Sequence, residues 1–371
     1  MKGWVLRKQG PVDRRPLALE DIETPPTRGG EILLKVEACG VCLTDLHILE
    51  GDLPVHKTPV IPGHQIVGRT HPPPAPPPQR GEGGIGGTAG TGSFLGVPWL
   101  STTCPPDSQC RFCARGQENL CERATFTGYD RDGGYAEFVS VPAESVYPLP
   151  PHLDPIEAAP LLCSGVIGYR ALKLATELHP SLVETSRSGV SPQERTPEGK
   201  GAGAGRLRLG LYGFGSSAHL VLQMAVHFGF EVFVFSRSEG HRALARKLGA
   251  AWAGGSDESP PAKLDAAVLF APVGALVPVA LGHLDRGGVL SIAGIHLSPI
   301  PALDYSLIYH ERVIRSAANS TRADVRETLA LAAEMNLKPA VEVFDFKDAP
   351  RALEALKRGA INGSAVLKIT L

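Results

Sequence analysis

The hydrophobic pattern divides the chain into parts of different predicted structure. Residues 31–38 (EILLKVEA) alternate between apolar and polar, as in a half-buried strand, and residues 135–150 resemble short strands separated by turns. Glycine and proline interrupt residues 1–160 so often that helical periodicity is weak there. We therefore predict mostly β structure for this part of the chain.

Apolar runs and helical spacing alternate in the part that follows. The run at 207–212 leads into helical spacing over 216–229, and this order of strand and helix then repeats. Further strands are predicted at 231–235, 264–270, 287–294, 312–318, 341–346 and 365–370, with further helices at 239–249, at about 321–335 and before the last strand. Strands that alternate with helices are typical of a parallel sheet, so we predict an α/β protein with a doubly wound domain.

Length and composition limit the possible functions. The 371 residues are too many for one ordinary core and indicate two domains. A net charge of −1 gives no electrostatic reason to expect nucleic acid or a membrane as partner, and the apolar runs are too short to predict a membrane-spanning helix. Because the first residues lack the apolar core of a signal peptide, we expect a cytoplasmic protein with reduced thiols.

Two segments differ in composition from the rest of the chain. Residues 70–93 are rich in proline and then in glycine, and residues 179–205 are polar and rich in glycine. Neither composition can bury a core, so both segments are predicted to be surface loops or disordered.

A glycine-rich turn follows the predicted strand at 207–212. Gly213, Gly215 and Ala218 form the pattern G-x-G-x-x-A between a strand and a helix. The first glycine allows a tight turn, the second lets the backbone approach a pyrophosphate, and the alanine still permits close packing of helix on strand. In this setting the pattern predicts a dinucleotide site of the Rossmann type; the alternative is a tight turn without a ligand.

The end of the next predicted strand bears on the choice of cofactor. An acidic residue that binds the ribose of NAD is expected there, but the sequence has Ser236 and Arg237. A hydroxyl and a cation suit a 2′-phosphate, so we expect NAD or NADP, with NADP slightly favoured. The alternative is that Arg237 is simply solvated.

Four of the seven cysteines lie close together in the sequence. They follow the spacing C-x5-C-x2-C-x7-C and are Cys104, Cys110, Cys113 and Cys121. Four thiolates can close a tetrahedral shell around zinc and leave no position for a substrate, which is typical of a structural site. The alternative is four free thiols.

The stretch CGVCLTDLH, from Cys39 to His47, is a second candidate for metal chemistry. A catalytic zinc takes three protein ligands and leaves one position for a substrate. Candidate ligands are Cys42, His64 in PGHQIVG and Cys163 in LLCSG. A redox C-x-x-C pair is the alternative; it is disfavoured because we do not expect the pair to open a helix after a strand.

Several motifs occur in the order found in one known family. GVCLTDLH, PGHQIVG, GVPWL, CRFCARGQENLC, TGYDRDGGYAE and the later GFG turn resemble those of zinc-dependent alcohol dehydrogenases of the medium-chain dehydrogenase/reductase superfamily. The resemblance covers nearly the whole chain except the two segments of unusual composition. It implies a GroES-like, β-rich catalytic domain over 1–163 with a return segment at 316–371, and a Rossmann-type dinucleotide-binding domain over 164–315.

The resemblance also implies how a catalytic zinc is held. Cys42, His64 and Cys163 are similar to the family's three ligands, and two thiolates with a neutral imidazole leave a zinc site without net charge. Asp45 is similar to the carboxylate that orients the ligand histidine. Cys39 is assigned no role and is interpreted as a small buried residue.

Further roles implied by the resemblance concern the substrate. Thr44 would take the proton of the alcohol and pass it through the cofactor ribose to His47, a relay toward solvent. Trp99 is similar to the bulky residue that narrows the pocket in enzymes for small primary alcohols; the alternative is a tryptophan packed in the core.

The sequence departs from the family pattern at several positions. Gln65 stands where the family has a glutamate beside the histidine, which removes a negative charge. The first gap of the cysteine loop is five residues where the family has two, which puts Cys104 in doubt as a ligand. The segment 70–93 replaces an apolar strand of the family, and the segment 179–205 lengthens a short connection, which costs little because closing a longer surface loop is cheap in entropy.

The function implied by the resemblance is reversible oxidation of small primary or secondary alcohols to aldehydes or ketones. Zinc and a nicotinamide cofactor would be required, and a homo-oligomer, dimer or tetramer, is expected. Two alternatives stay open. One is a zinc-free quinone or enone reductase of the same superfamily, and the other is a catalytically impaired nucleotide-binding relic.

Overall fold

The structure is a computed structural model, and it describes most of the chain. The described residues are 1–71, 94–177 and 206–369. The predictions for the two segments of unusual composition therefore lie almost wholly outside the described residues. In the described part of the chain, no helix is long and apolar enough to cross a membrane.

Strands dominate the first part of the described chain, and strands alternate with helices in the part that follows. The strands are β1 (Lys2–Leu6), β2 (Leu17–Asp21), β3 (Glu31–Val41), β4 (Gln65–Thr70), β5 (Leu95–Val97), β6 (Leu100–Thr102), β7 (Thr125–Phe126), β8 (Phe138–Pro142), β9 (Tyr147–Pro148), β10 (Arg208–Tyr212), β11 (Glu231–Phe235), β12 (Trp252–Gly254), β13 (Leu264–Leu269), β14 (Leu284–Ile292), β15 (Val313–Ser316), β16 (Val341–Asp345) and β17 (Ser364–Lys368). The helices are α1 (Leu43–Glu50), α2 (Pro155–Ala158), α3 (Ser164–Thr176), α4 (Ser216–His227), α5 (Glu239–Lys247), α6 (Leu276–His283), α7 (Arg322–Glu334) and α8 (Ala349–Lys357).

The chain forms two compact units. Unit 1 combines Met1–Ser164 with Asn319–Leu371, and unit 2 is Gly165–Ala318. The long strand β3 is central in unit 1, where it pairs antiparallel with β4, β8 and the last strand, β17. Apolar side chains from these strands, from β1 and from α1 and α8 form the core of the unit. The sheet therefore joins the beginning and the end of the chain in one core.

Unit 2 contains a six-stranded sheet in the order β12-β11-β10-β13-β14-β15, and every neighbouring pair is parallel. Its central strands are almost wholly buried, as expected for a parallel sheet covered on both faces. The strand order changes direction between β10 and β13. In sheets of this kind, ligands bind outside the carboxyl ends of the strands at such a point.

The helix α1 is absent from the sequence-based prediction. It has only eight residues, and Thr44, Asp45, Leu46, Ile48 and Leu49 are all buried, so its apolar positions follow no single stripe. Cys42 is its N-cap and directly follows β3. The expectation that the C-x-x-C pair does not open a helix after a strand was therefore wrong.

Candidate functional site

Cys42, His64 and Cys163 lie together in unit 1. One ligand atom from each, the two Sγ atoms and a ring nitrogen, lies within 4.8 Å of the other two. Cys42 follows β3 and His64 precedes β4, and these strands pair antiparallel so that Gly40 lies opposite Gln65. The sheet register therefore brings together two candidate ligands that are 22 positions apart in the sequence.

Asp45 organises the surroundings of His64. Its carboxylate accepts hydrogen bonds from the backbone N–H of Cys42 (2.9 Å) and Gly63 (3.2 Å) and from the hydroxyl of Tyr135 (3.2 Å). His64 Nδ1 lies 3.2 Å from Asp45 Oδ1, and its buried Nε2 has no hydrogen-bond partner among the described residues. A ring that donates from Nδ1 to a carboxylate keeps a lone pair on Nε2, which is the usual arrangement of a metal-binding histidine.

Protons compete with a metal at this cluster. Burial by itself lowers the pKa of His64, but the charge and hydrogen bond of Asp45, together with the neighbouring Cys42 thiolate, outweigh it and raise that pKa to about 10. The hydrogen bond between the two thiols lowers the pKa of Cys42 and raises the pKa of Cys163. Metal ligands must be deprotonated, so binding at this cluster releases protons. Two thiolates and one imidazole fit zinc with a fourth position left open.

Gln65 brings no charge to this cluster. Its side chain is buried beside His64, and its Nε2 has no hydrogen-bond partner in the part of the chain that the structure describes. A Cβ atom at Gly40 would collide with the amide of Gln65, so the absence of a side chain on the opposite strand leaves room for this amide.

Thr44 and His47 lie one turn apart on α1, where side chains share one face of a helix. Thr44 is buried, and its Oγ1 is 3.7 Å from the Sγ of Cys42. His47 Nδ1 is 2.8 Å from Oδ2 of Asp52, just beyond the end of the helix. The two candidate relay residues thus extend from Cys42 toward the partly exposed contact between His47 and Asp52.

Trp99 belongs to the hydrophobic core of unit 1 and also contacts the cluster. Its ring meets the ring of His64 edge-on at 4.8 Å between centroids and stacks on Phe126 at 5.0 Å. Trp99 can therefore be packed in the core and still narrow a substrate pocket at the cluster, so the two interpretations of this residue are compatible.

Cys39 takes no part in the cluster. It is fully buried on β3, and its Sγ would lie 2.9 Å from a Cβ atom at either Gly63 or Gly134. Cys42 is instead grouped with His64 and Cys163. This geometry disfavours a redox pair, although α1 does follow Cys42.

The four loop cysteines form a second cluster in unit 1. The Sγ atoms of Cys104, Cys110, Cys113 and Cys121 all lie within 4.8 Å of one another, and those of Cys104 and Cys121 are 3.4 Å apart. The longer first gap forms a turn of 3-10 helix at Pro106–Ser108, so it does not remove Cys104 from the group. Four sulfur donors at these distances fit a structural zinc.

Nearby donors favour thiolates in this second cluster. A hydrogen bond from the Arg123 guanidinium lowers the pKa of Cys104, and the backbone N–H of Cys113 lowers the pKa of Cys110 to about 6. Burial, together with the neighbouring thiols, raises the pKa of Cys113 to about 12. Uptake of a metal here therefore displaces a proton from Cys113 in particular.

The glycine turn in unit 2 lies between β10 and α4, as the pattern predicts. Gly213 has φ 85°, and a Cβ atom there would lie 2.8 Å from the backbone nitrogen of Ala271. Gly215 is the N-cap of α4, and a Cβ atom there would meet no described atom within 4 Å. The buried Ala218 packs α4 on the sheet. The open space at the helix N-terminus fits a pyrophosphate.

Ser236 and Arg237 follow β11, at the same end of the sheet. Ser236 is buried and its Oγ is 3.4 Å from His241 Nδ1, whereas Arg237 is exposed. The guanidinium of Arg242 donates to the backbone carbonyls of both residues and pairs with Glu239. The hydroxyl of Ser236 and the guanidinium of Arg237 are therefore neighbours in sequence, but the first is buried and the second is exposed.

Sequence reasoning missed three residues of these sites. Tyr135 and Asp52 contact Asp45 and His47 respectively, and Arg123 contacts the second cysteine cluster. No spacing rule connects Tyr135 to a residue 90 positions away. Asp52 had a weak signal, because an acid just after a helix end is unfavourable for the helix dipole unless a cation is near.

Comparison with known proteins identifies the family. Residues 28–151 match the alcohol dehydrogenase GroES-like domain, and residues 218–334 match the zinc-binding dehydrogenase family. A probable alcohol dehydrogenase of Mycobacterium tuberculosis is 44% identical over 375 residues, covering 100% of this chain and 97% of the relative. An alcohol dehydrogenase of Geobacillus stearothermophilus is 33% identical over 365 residues, covering 96% of both chains.

Solved structures share the fold. The acetophenone reductase of Geotrichum candidum, determined in complex with NAD, has a TM-score of 0.79 and 25% identity, covering 99% of this chain and 97% of that one. The alcohol dehydrogenase of the archaeon Aeropyrum pernix has a TM-score of 0.78 and 24% identity, covering 100% of both chains. These matches confirm the predicted combination of a GroES-like and a Rossmann-type domain. The chain therefore belongs to the zinc-dependent alcohol dehydrogenases of the medium-chain dehydrogenase/reductase superfamily.

Proposed function

We propose that this protein catalyses the reversible oxidation of small primary or secondary alcohols to aldehydes or ketones with a nicotinamide cofactor. The observation that carries the proposal is the grouping of Cys42, His64 and Cys163, with a buried Nε2 that the described residues leave unpartnered. The names of the relatives, alcohol dehydrogenases and an acetophenone reductase, support this reaction class. Unit 1 would be the catalytic domain and unit 2 the dinucleotide-binding domain.

Cys42, His64 and Cys163 would hold the catalytic zinc. Zinc at this position supplies a Lewis acid that lowers the pKa of an alcohol hydroxyl and so favours departure of hydride to the nicotinamide. Asp45 keeps the proton of His64 on Nδ1 and orients the ring, so that Nε2 remains a ligand atom. The loop cysteines Cys104 to Cys121 would hold a second, structural zinc.

Thr44 and His47 would carry the proton of the alcohol away. The hydroxyl of Thr44 lies beside Cys42 and would accept the alcohol proton while giving up its own toward the cofactor ribose. His47, at the more exposed end of the relay beside Asp52, would pass a proton on to solvent. Thr44→Ala should lower kcat about 10²–10⁴-fold, the usual range for a positioned acid–base group. His47→Gln should lower kcat less, because water can replace the exposed end; a larger loss in His47→Gln would contradict this order of the relay.

Both nicotinamide cofactors should work, with NADP modestly favoured. The buried Ser236 and the exposed Arg237 offer a hydroxyl and a guanidinium to a 2′-phosphate, and neither residue is an acid that would select the ribose of NAD. Ser236→Asp should shift the ratio of kcat/KM values toward NAD by repelling the phosphate. A strong preference for NAD in the unmodified protein would contradict the role given to Arg237.

Metal analysis together with an alcohol panel tests the proposed function. We expect two zinc ions per chain and turnover of small alcohols with NAD or NADP, both measured on the same preparation. Reduction of enones or quinones by zinc-free protein would favour the reductase alternative. Cofactor binding without turnover of any alcohol, aldehyde or ketone would favour a nucleotide-binding relic.

The predicted homo-oligomer has support from one side of unit 2. β15 is the edge strand of the six-stranded sheet, and Ile314 on this strand is exposed. The preceding residues expose further large apolar side chains, among them Ile295, Tyr305 and Tyr309. An apolar edge of this kind suits pairing with a second copy of the chain.

A further inference from the structure

The second cysteine cluster has a feature that its four sulfur atoms do not account for. Five residues separate Cys104 from Cys110, and these residues contain the turn Pro106–Ser108. A longer and exposed connection has more conformations to lose when its end is fixed, so Cys104 is the ligand most easily lost from the group. Nevertheless its Sγ lies with the other three.

Arg123 connects Cys104 to the turn and to the rest of the cluster. Its Nε donates to the Sγ of Cys104 at 3.2 Å, and its Nη2 donates to the backbone carbonyl and hydroxyl of Ser108. Its backbone N–H donates to the Sγ of Cys121 at 3.4 Å. One residue thus contacts the first sulfur, the last sulfur and the turn that lengthens the loop.

The charges favour the same contact. Four thiolates around a divalent ion sum to a charge of −2, and hydrogen bonds to ligand sulfur stabilise such a shell. The planar guanidinium donates in two directions from one rigid group, which a lysine ammonium cannot reproduce. Arg123 therefore combines a compensating charge with a geometric link.

We propose that Arg123 is a positioning residue that keeps Cys104 in the shell of the structural zinc by fastening the lengthened loop to the sulfur. This inference rests on the proposed structural zinc and goes beyond it, because Arg123 itself binds no metal. In this chain, the contacts of Arg123 compensate for the longer gap between Cys104 and Cys110.

Zinc release measures this role without using turnover. Full-length protein loaded with zinc is mixed with a chromogenic chelator, and the release rate and the number of zinc ions per chain are recorded. Arg123→Gln should release the loop zinc about 10–100-fold faster than the unmodified protein, the usual effect of losing a contact to a ligand. Arg123→Lys should stay close to Arg123→Gln, because the charge alone does not link Ser108 to Cys104.

Arg111 provides the matched control. It lies in the same loop and is exposed, 3.9 Å from Glu122 and over the ring of Phe112, with no contact to sulfur among the described residues. Arg111→Gln removes one positive charge from the loop and should release zinc at the unmodified rate. Equal release from the Arg111 and Arg123 variants, or full rescue by Arg123→Lys, would overturn the proposal.

Shortening the loop removes the need for the link. Deleting 106–108 leaves a two-residue gap between Cys104 and Cys110, and in this background Arg123→Gln should have a much smaller effect on zinc release. An undiminished effect would overturn the proposal, even if Arg123→Gln alone folds poorly.

The variant Cys110→Ser identifies which released ion comes from the loop, because this variant should lack the loop zinc. If the unmodified protein holds only the zinc lost in Cys163→Ser, the Arg123 proposal fails while the proposed catalytic site stands.

Discussion

The two cysteine clusters of unit 1 are built in opposite ways. The candidate ligands of the first, Cys42, His64 and Cys163, come from distant parts of the chain, and His64 is fully buried. The candidate ligands of the second come from a single loop, Cys104 to Cys121, that lies near the surface. The first cluster can form only when the sheet has formed, whereas the second can be assembled by local turns.

The surroundings of the clusters differ in charge as well. The first is organised by a buried carboxylate, Asp45, which accepts hydrogen bonds from two backbone N–H groups and the hydroxyl of Tyr135. The second is contacted by a cation, Arg123. A neutral set of ligands beside a carboxylate leaves room for chemistry at an open position, while four thiolates beside a cation favour a closed shell. This comparison supports the catalytic role that we propose for the first cluster and the structural role that we propose for the second.

Cys163→Ser should have the largest effect of the substitutions that separate the two roles. Loss of one ligand removes the catalytic zinc and several kcal/mol of stabilisation of the transition state, equivalent to at least about 10³-fold in kcat. The zinc content should fall by one ion per chain, since the loop cysteines are untouched. Cys39→Ala, at a buried thiol outside both clusters, is the control and should retain both ions; full activity in Cys163→Ser would contradict the assignment.

Asp45→Asn should have an intermediate effect, with a characteristic dependence on pH. The zinc affinity of the first cluster should fall about 10–100-fold, because the hydrogen-bond partner that orients His64 is weakened. In the unmodified chain the pKa of His64 is raised to about 10, so below this pH the ring carries a proton that zinc must displace. The contribution of His64 to apparent affinity therefore increases with pH up to about 10.

The proton count distinguishes this explanation from a simple loss of structure. Without the carboxylate, burial is less opposed and the pKa of His64 falls, so less of the ring is protonated near pH 8. Zinc uptake should then release about one proton fewer in Asp45→Asn than in the unmodified protein. Titration with zinc in weakly buffered indicator solution measures this number, and an unchanged count would show that His64 is not the group displaced.

Cys110→Ser should have the smallest effect on turnover. The loop zinc should be lost and the Tm should fall, because binding of the ion to the folded state no longer contributes to stability. The kcat of the protein that remains folded should be nearly unchanged, because the loop from Cys104 to Cys121 supplies no residue to the first cluster. Calorimetry together with active-site titration checks both statements; a kcat loss as large as that of Cys163→Ser would contradict the division of roles.

Local patterns predicted much of the fold. The strands β10 and β11 and the helix α4 occur where periodicity placed them, within about two residues, and the glycine turn lies between strand and helix as expected. The resemblance to the family, carried by motifs in order along the chain, is confirmed by the matched domains. The helix α1 was missed because most of its positions are buried, which leaves no periodic signal.

Contacts between distant positions could not be predicted in this way. The hydroxyl of Tyr135 reaches Asp45 because glycines around Gly63 let two loops approach closely; a Cβ atom at Gly133 would lie 2.0 Å from the Gly63 carbonyl oxygen. The sequence left Cys104 in doubt as a metal ligand for the same reason, because a contact between distant positions holds it near the other cysteines. Spacing alone shows the longer gap, but the contact of Arg123 with Ser108 becomes visible only in three dimensions.

The pairing of the last strand with β3 sets an order of events during synthesis. Ala365 of β17 lies opposite Val41, the residue before Cys42, so the sheet beside this candidate ligand is completed by residues that are synthesised long after Cys42. The loop from Cys104 to Cys121 emerges long before, and its ion can be captured while the chain is still growing. A chain that stops before β17 should therefore carry one kind of zinc and lack the other. Truncated products in the cell would thus hold metal without being able to act on an alcohol.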